Sequence, residues 1–265
     1  MSRKLLWGTG VVAAIVLVIA FVLFYYLPSS RSNQPLVGTV TRSNGGSTML
    51  LIFSKTAGYR HASIENGIDA IHKLAAVHHV EVQATEDSSV FTDENLARYQ
   101  AVIFLSTTGN ILDDAQKAAF ERYIRAGGGF VGVHAASDTE YSWTWYGQLV
   151  GSFFKNHPAI SQATVRVEDG QNRSTSMLPK KWERTDEWYN YRENPRNRVH
   201  VLLTLDESTY KGGEMGTDHP VSWYHEFEGG RAWYTGMGHT AESFAEPLFL
   251  AHLWGGISYA AKLES

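Results

Sequence analysis

A chain of 265 residues, 43% apolar and 19% charged, has ordinary globular composition and enough length for one large domain. The complete lack of cysteine excludes disulfide frameworks, zinc–thiolate and iron–sulfur sites and any thiol nucleophile, so a metal would have to be held by His, Asp or Glu. A net charge of -4 with no basic run argues against nucleic acid as a partner, while 8 Trp, 13 Tyr, 12 Phe and 11 His suit either a sugar-handling surface or a large aromatic core.

Leu5 to Leu27 is an uncharged apolar stretch that would reach roughly 35 Å as a helix, enough to cross a bilayer. It predicts one transmembrane helix at residues 5–27. Arg3 and Lys4 in a short cytoplasmic tail, 1–4, with Trp7 at one end and Tyr25 and Tyr26 at the other, orient the N-terminus inside and the rest periplasmic or extracellular. A cleaved signal peptide is the rival reading, but the segment FYYLPSS lacks a small-x-small cleavage site. Residues 28–47, rich in Ser, Gly, Asn and Pro, read as a flexible linker, and the folded domain spans 48–263.

The first half of that domain alternates strand and helix signals. Met49 to Phe53 is a continuous apolar run suited to a strand covered on both faces. Ser63 is placed to cap a helix with Ile64, Ile68, Ile71 and Ala75 on one stripe. A strand at Val80 to Ala84, a short helix at Thr92 to Tyr99 and a third strand at Ala101 to Leu105 follow. Asp113 or Asp114 caps the next helix, which buries Ala119, Phe120, Tyr123 and Ile124 and stops at Gly127 to Gly129 before a fourth strand, Phe130 to Val133. The order predicts an α/β fold, a doubly wound, mostly parallel sheet with helices on both faces.

Ligands of such sheets bind beyond the carboxyl ends of the strands. Three loops fall there: Lys55 to His61, Ser106 to Asn110 and His134 to Asp138. The last follows GGGFVGV and has the form of a nucleophile elbow, with His134 where a hydrolase would carry Ser or Cys. If the chain turns helical there, Asp138 lies one turn on, and the two can act as an acid–base pair or ligate a metal. The plainer reading makes Asp138 a helix cap and His134 a loop hydrogen-bonder.

The second half predicts strands at Ile160 to Val167 and Val199 to Leu205, an irregular stretch containing TDEWYNY, Thr185 to Tyr191, and a hairpin from Asp218 to Thr240. A turn at Glu228, Gly229 and Gly230 pairs Phe227 with Arg231 and, extended outward, sets His219 opposite His239. His225 then falls near Trp233 on an apolar face and reads as a packed histidine. If the strand Ala232 to Gly236 joins the sheet parallel to the first four, His239 arrives on the edge that carries His134. His134, His219 and His239 thereby become candidate ligands of a divalent metal, zinc or similar. The plain alternative gives each histidine its own local hydrogen bond.

These motifs, YRH-S-I, AFERYIRAGGGFVGVHAASD, TDEWYNY, GTDHPVSWYHEFEGGRAWYTGMGHT and a final aromatic-rich helix, resemble in order those of the ThuA-like (trehalose utilisation) family, over Thr48 to Leu263. The resemblance implies a flavodoxin-like fold of the class I glutamine amidotransferase-like superfamily with a C-terminal β-hairpin, and a role with trehalose, other disaccharides or 3-keto-glycosides. It cannot extend to thiol-based glutamine hydrolysis, because the elbow residue is His134. The residues themselves leave two classes. In the first, a sugar-active hydrolase, lyase or isomerase uses His134 and Asp138 with Glu187 as general base. Tyr59, Arg60, His61, Thr107, Trp143, Trp145 and Trp188 then contact the carbohydrate. In the second, the same pocket is a non-catalytic carbohydrate-binding or assembly module tethered to the membrane.

Overall fold

The structure, a computed structural model, describes residues 48–263. The expected anchor at 5–27 and linker at 28–47 lie outside the described residues, among which no helix is long and apolar enough to cross a membrane. Nine strands form one sheet in the order β2-β1-β3-β4-β11-β10-β9-β6-β7. β1 (Met49–Phe53), β2 (Glu81–Thr85), β3 (Ala101–Leu105), β4 (Gly129–Val133) and β11 (Gly230–Thr235) run parallel. β10 (His219–Phe227), β9 (His200–Asp206), β6 (Ser161–Val167) and β7 (Lys181–Asp186) continue it antiparallel. A separate two-stranded ribbon joins β5 (Phe154–Asn156) to β8 (Asn190–Tyr191).

The parallel strands are covered on both faces, as their unbroken apolar runs require. In β1 the alternate residues Leu50 and Ile52 share one core with Ile71, Leu253 and Ile257, from α1 (Ile64–Val77) and α5 (Pro247–Ala260). Leu51 and Phe53 share the other with Leu96, Phe120, Ile124 and Tyr146, from α2 (Asp93–Leu96), α3 (Asp114–Arg125) and α4 (Thr144–Val150). Asp113 caps α3 in a full capping box with Gln116. Ser63 stands at the start of α1 without capping it; its hydroxyl donates instead to the Gly238 carbonyl.

β11 joins the sheet beside β4, in parallel, as the position of His239 demanded. The hairpin register, however, is Phe227 with Gly230 and His225 with Ala232, one residue from the expected pairing. The turn has two residues: Glu228 and Gly229 both adopt positive φ, 47° and 95°, the backbone of the tight hairpin turn that matches strand twist. Gly230 therefore already belongs to the strand, and His219 does not face His239.

α5 lies so close to the sheet that a Cβ on Gly256 would sit 2.2 Å from the Trp233 ring. We expect Gly256→Ala to destabilise the domain by about 1–3 kcal/mol through overpacking, read as a lower urea midpoint at unchanged slope. An unchanged midpoint would show that the helix can move away.

Candidate metal centre

Four side chains meet beyond the carboxyl ends of the parallel strands: His61 from the loop after β1, His134 directly after β4, Glu187 directly after β7 and His239 shortly after β11. One donor atom from each lies within 4.8 Å of all the others. His134 sits at the elbow with φ 50°, a left-handed conformation costly for a residue with a Cβ, and it turns the ring away from the strand line into the cluster. Its Nδ1–H donates to the Gly236 carbonyl at 2.8 Å, which leaves Nε2 as a bare lone pair 3.2 Å from His239 Nδ1 and 3.4 Å from Glu187 Oε2. His239 Nδ1 lies 3.0 Å from the same carboxylate oxygen. The other oxygen, Oε1, accepts from His157 Nδ1 at 3.0 Å. The Tyr189 ring covers His134 at 4.2 Å between centroids.

His61 completes the group. Its ring is edge-on to those of His134 and His239, at 4.7 and 5.1 Å, and only 4% of the residue is exposed. Its Nδ1 is buried without a hydrogen-bond partner. Burial, reinforced by the neighbouring His134 and His239, pushes this imidazole down to about 3, so it stays neutral. Burial alone would raise Glu187, but the neighbouring His134 and His239 imidazoles hold the carboxyl below its usual range. The Glu187 hydrogen bond in turn raises His239.

The donor set fits a divalent ion. Three imidazoles and a carboxylate, with His134 fixed from behind by a backbone carbonyl, match the ligand chemistry of zinc and its neighbours. Separations of 3.0–3.4 Å around Glu187, His134 and His239 approach the roughly 3.4 Å edge of a zinc tetrahedron. The buried group can therefore hold a metal ion.

The other sequence-selected residues separate. His219 is not part of the group: its Nε2 donates to the Tyr189 carbonyl at 2.9 Å, its Nδ1 is 2.7 Å from Glu207 Oε1, and burial lowers its proton affinity. His225 is packed as expected, with Nε2 bonded to the Leu149 carbonyl. Asp138 ends a tight 3-10 turn rather than an α-helical one, and accepts from Tyr141 at 2.5 Å. Burial raises its carboxyl against the opposing effect of that bond. Thr107 is wholly buried and shares its hydroxyl with Thr139, so it cannot line a pocket. Trp188 is likewise a core residue, 0% exposed. Trp143 and Trp145 stack on each other, bound through their indole nitrogens to Glu121 and Glu228. Glu228 belongs to the hairpin turn at the opposite end of β11 from His239, so this pair is remote from the cluster. Arg60 is tied to Glu65 and Glu86, whereas Tyr59, 66% exposed, lies against His61. His157, which nothing in the sequence singled out, stands beside Glu187.

A model of the ThuA family, described as trehalose utilisation, matches residues 49–260. The chain belongs to the ThuA family. Among solved structures, a Bacteroides uniformis protein described as ThuA-like is 25% identical with a TM-score of 0.71, over 83% of this chain and 94% of that one. A ThuA-like counterpart from Parabacteroides merdae is 18% identical at TM-score 0.68, over 83% and 93%. A β-galactosidase from Bacillus circulans sp. alkalophilus, 13% identical at TM-score 0.54, shares the fold across 80% of this chain and 30% of its own length. No curated protein matches the chain.

The electrostatics of this family member give a pH dependence. Unfolded His61 takes up a proton below its ordinary 6.5, whereas the native residue resists down to about 3, so its contribution to stability is lost as pH falls across that interval. Glu187, depressed from 4.5, loses its contribution in the same direction at lower pH. His239, raised above 6.5, opposes them: it favours the native state below 6.5, and that contribution disappears as pH rises through its raised value. In chelator, we expect the melting temperature to fall on acidification from about pH 6.5, and His61→Phe to flatten that slope. An identical slope in the variant would contradict the assignment of His61.

Proposed function

We propose that this ThuA-family protein is a metal-assisted enzyme of carbohydrate metabolism, acting on a disaccharide or 3-keto-glycoside held over His61, His134, Glu187 and His239. The observation that carries this reading is the convergence of His61, His134, Glu187 and His239, with one donor atom of each within 4.8 Å of all the others. A buried lone pair left unpaired costs on the order of 1–3 kcal/mol, a cost that a cation bound among these donors would remove. The family description, trehalose utilisation, supports a sugar as the small-molecule partner.

The four residues would hold a divalent ion such as zinc. Bound there, the ion supplies Lewis acidity toward a sugar carbonyl or hydroxyl oxygen. Glu187, read from the sequence as a general base, has both oxygens engaged with imidazoles and is better cast as a ligand. Proton movement then falls to Asp138, whose half-buried carboxyl holds its proton more tightly than usual and is positioned by Tyr141. The exposed face of Tyr59 offers a stacking surface for a pyranose ring next to His61. Proton transfer at a polarised oxygen suits a hydrolase, lyase or isomerase. The apolar stretch at 5–27 supports placing this activity on the outer side of a cell membrane.

The test is a panel of disaccharides, trehalose included, and their 3-keto derivatives, incubated with the protein before and after chelation. We expect turnover that chelator abolishes and added zinc, cobalt or manganese restores, and an Asp138→Asn variant about 10²–10⁴-fold slower at unchanged metal content. Binding without product would favour the non-catalytic module. Turnover indifferent to chelator would remove the metal from the mechanism.

A further inference from the structure

We infer that Asp186 is the positioning residue of this site: its carboxylate sets the spacing between the Glu187 and His239 ligands before any ion arrives. The inference rests on reading the cluster as a metal centre. Glu187 and His239 follow β7 and β11, which stand four strands apart in the sheet, so pairing within the sheet cannot bring them together. What joins them is one wholly buried carboxylate. Asp186 Oδ1 accepts from the Glu187 amide at 2.9 Å and from the His239 amide at 3.0 Å. Oδ2 accepts from the Gly238 amide at 2.9 Å, Arg184 Nη2 at 3.1 Å and Ser243 Oγ at 3.2 Å.

Five donors on two oxygens demand a group that only accepts. Asn would turn an NH2 toward one of these donor sets, and Glu would displace the oxygens by a methylene. Gly238, with φ 108°, supplies the backbone that lets its own amide and that of His239 face the same carboxylate. Behind it, Arg184 is buried between the Trp182 and Phe249 rings, 4.7 and 4.9 Å from their centroids, and contacts Met237 and Glu246. A buried ion pair of this kind adds little net stability. Its value lies in fixing geometry, and the geometry fixed is that of two ligand backbones.

The experiment measures zinc affinity by competition with a chromogenic chelator, and the visible spectrum of the cobalt form, for wild type, Asp186→Asn and Glu140→Gln. Glu140 is the control, a buried carboxylate that accepts from the Ile111 and Leu112 amides and pairs with Lys117, with no contact to the ligands. We expect Asp186→Asn to weaken zinc about 10–100-fold and alter the cobalt bands, and Glu140→Gln to lower the melting temperature with affinity unchanged. Asp186→Asn affinity within about twofold of wild type, with the same spectrum, would overturn the inference. Hydrogen exchange on the wild type gives a second test that needs no variant. Protection of the Gly238 and His239 amides should survive chelation, and protection that appears only with metal would assign the positioning to the ion. Wild type that binds neither zinc nor cobalt would overturn the metal reading itself, and the inference with it.

Discussion

Lone pairs gathered in a poorly hydrated place are costly unless something positive lies among them. His134 Nε2, a ring nitrogen of His61 and Glu187 Oε2 all face the same small region. The His134 tautomer is fixed from outside by the Gly236 carbonyl, so that ring cannot turn a proton inward without becoming charged. His61 resists protonation because it is buried beside two other imidazoles. Inside the cluster only His239 Nδ1 comes within 3.0 Å of Glu187, at Oε2, while His157 Nδ1 reaches Oε1 from the rim at the same distance. The elbow adds backbone strain of about 1–3 kcal/mol at His134. Such unfavourable terms persist where the surrounding fold imposes them, and here they converge on one point.

The fold imposes them in two ways. Three of the four clustered residues use the ordinary property of a parallel sheet, that loops leaving the carboxyl ends of its strands share one edge. β1, β4 and β11 deliver His61, His134 and His239 in this manner. Glu187 arrives differently. The antiparallel strands extend the sheet away from β11, yet the end of β7 hydrogen-bonds to Gly238 and His239. The extension therefore curls back, packed over α5, where Trp182 bonds Glu246 and the Ser174 carbonyl bonds His252. Adding a curled antiparallel half to a parallel core supplies the carboxylate that completes the cluster.

This explains what the sequence made legible. The parallel strands, the loops at their carboxyl ends and the pairing of His134 with His239 follow from local apolar runs and one topological rule. His61 lay in the right loop, though it was read as a contact for ligand oxygens, because an imidazole's partners depend on strands distant in sequence. The choice of His219 failed on a single residue of register: taking Gly230 into the turn shifted the whole pairing. The positive φ at both Glu228 and Gly229 is a property a Glu-Gly pair signals only weakly. Glu187 was selected for its aromatic neighbours and gained its role from the curl, which no periodicity encodes. Trp143, Trp145 and Trp188 show the limit of composition, since a tryptophan packed in or against a core and one offered to a sugar look alike in a sequence.

The account stands or falls on three imidazoles sharing one ion with Glu187. The X-ray absorption spectrum of the zinc-loaded protein addresses that directly, because histidine rings give outer-shell scattering that carboxylates and water do not. The prediction is a nitrogen- and oxygen-coordinated zinc with the scattering of three imidazoles, reduced to two in His61→Ala. Zinc surrounded by oxygen alone, or a spectrum unchanged by that substitution, would contradict it.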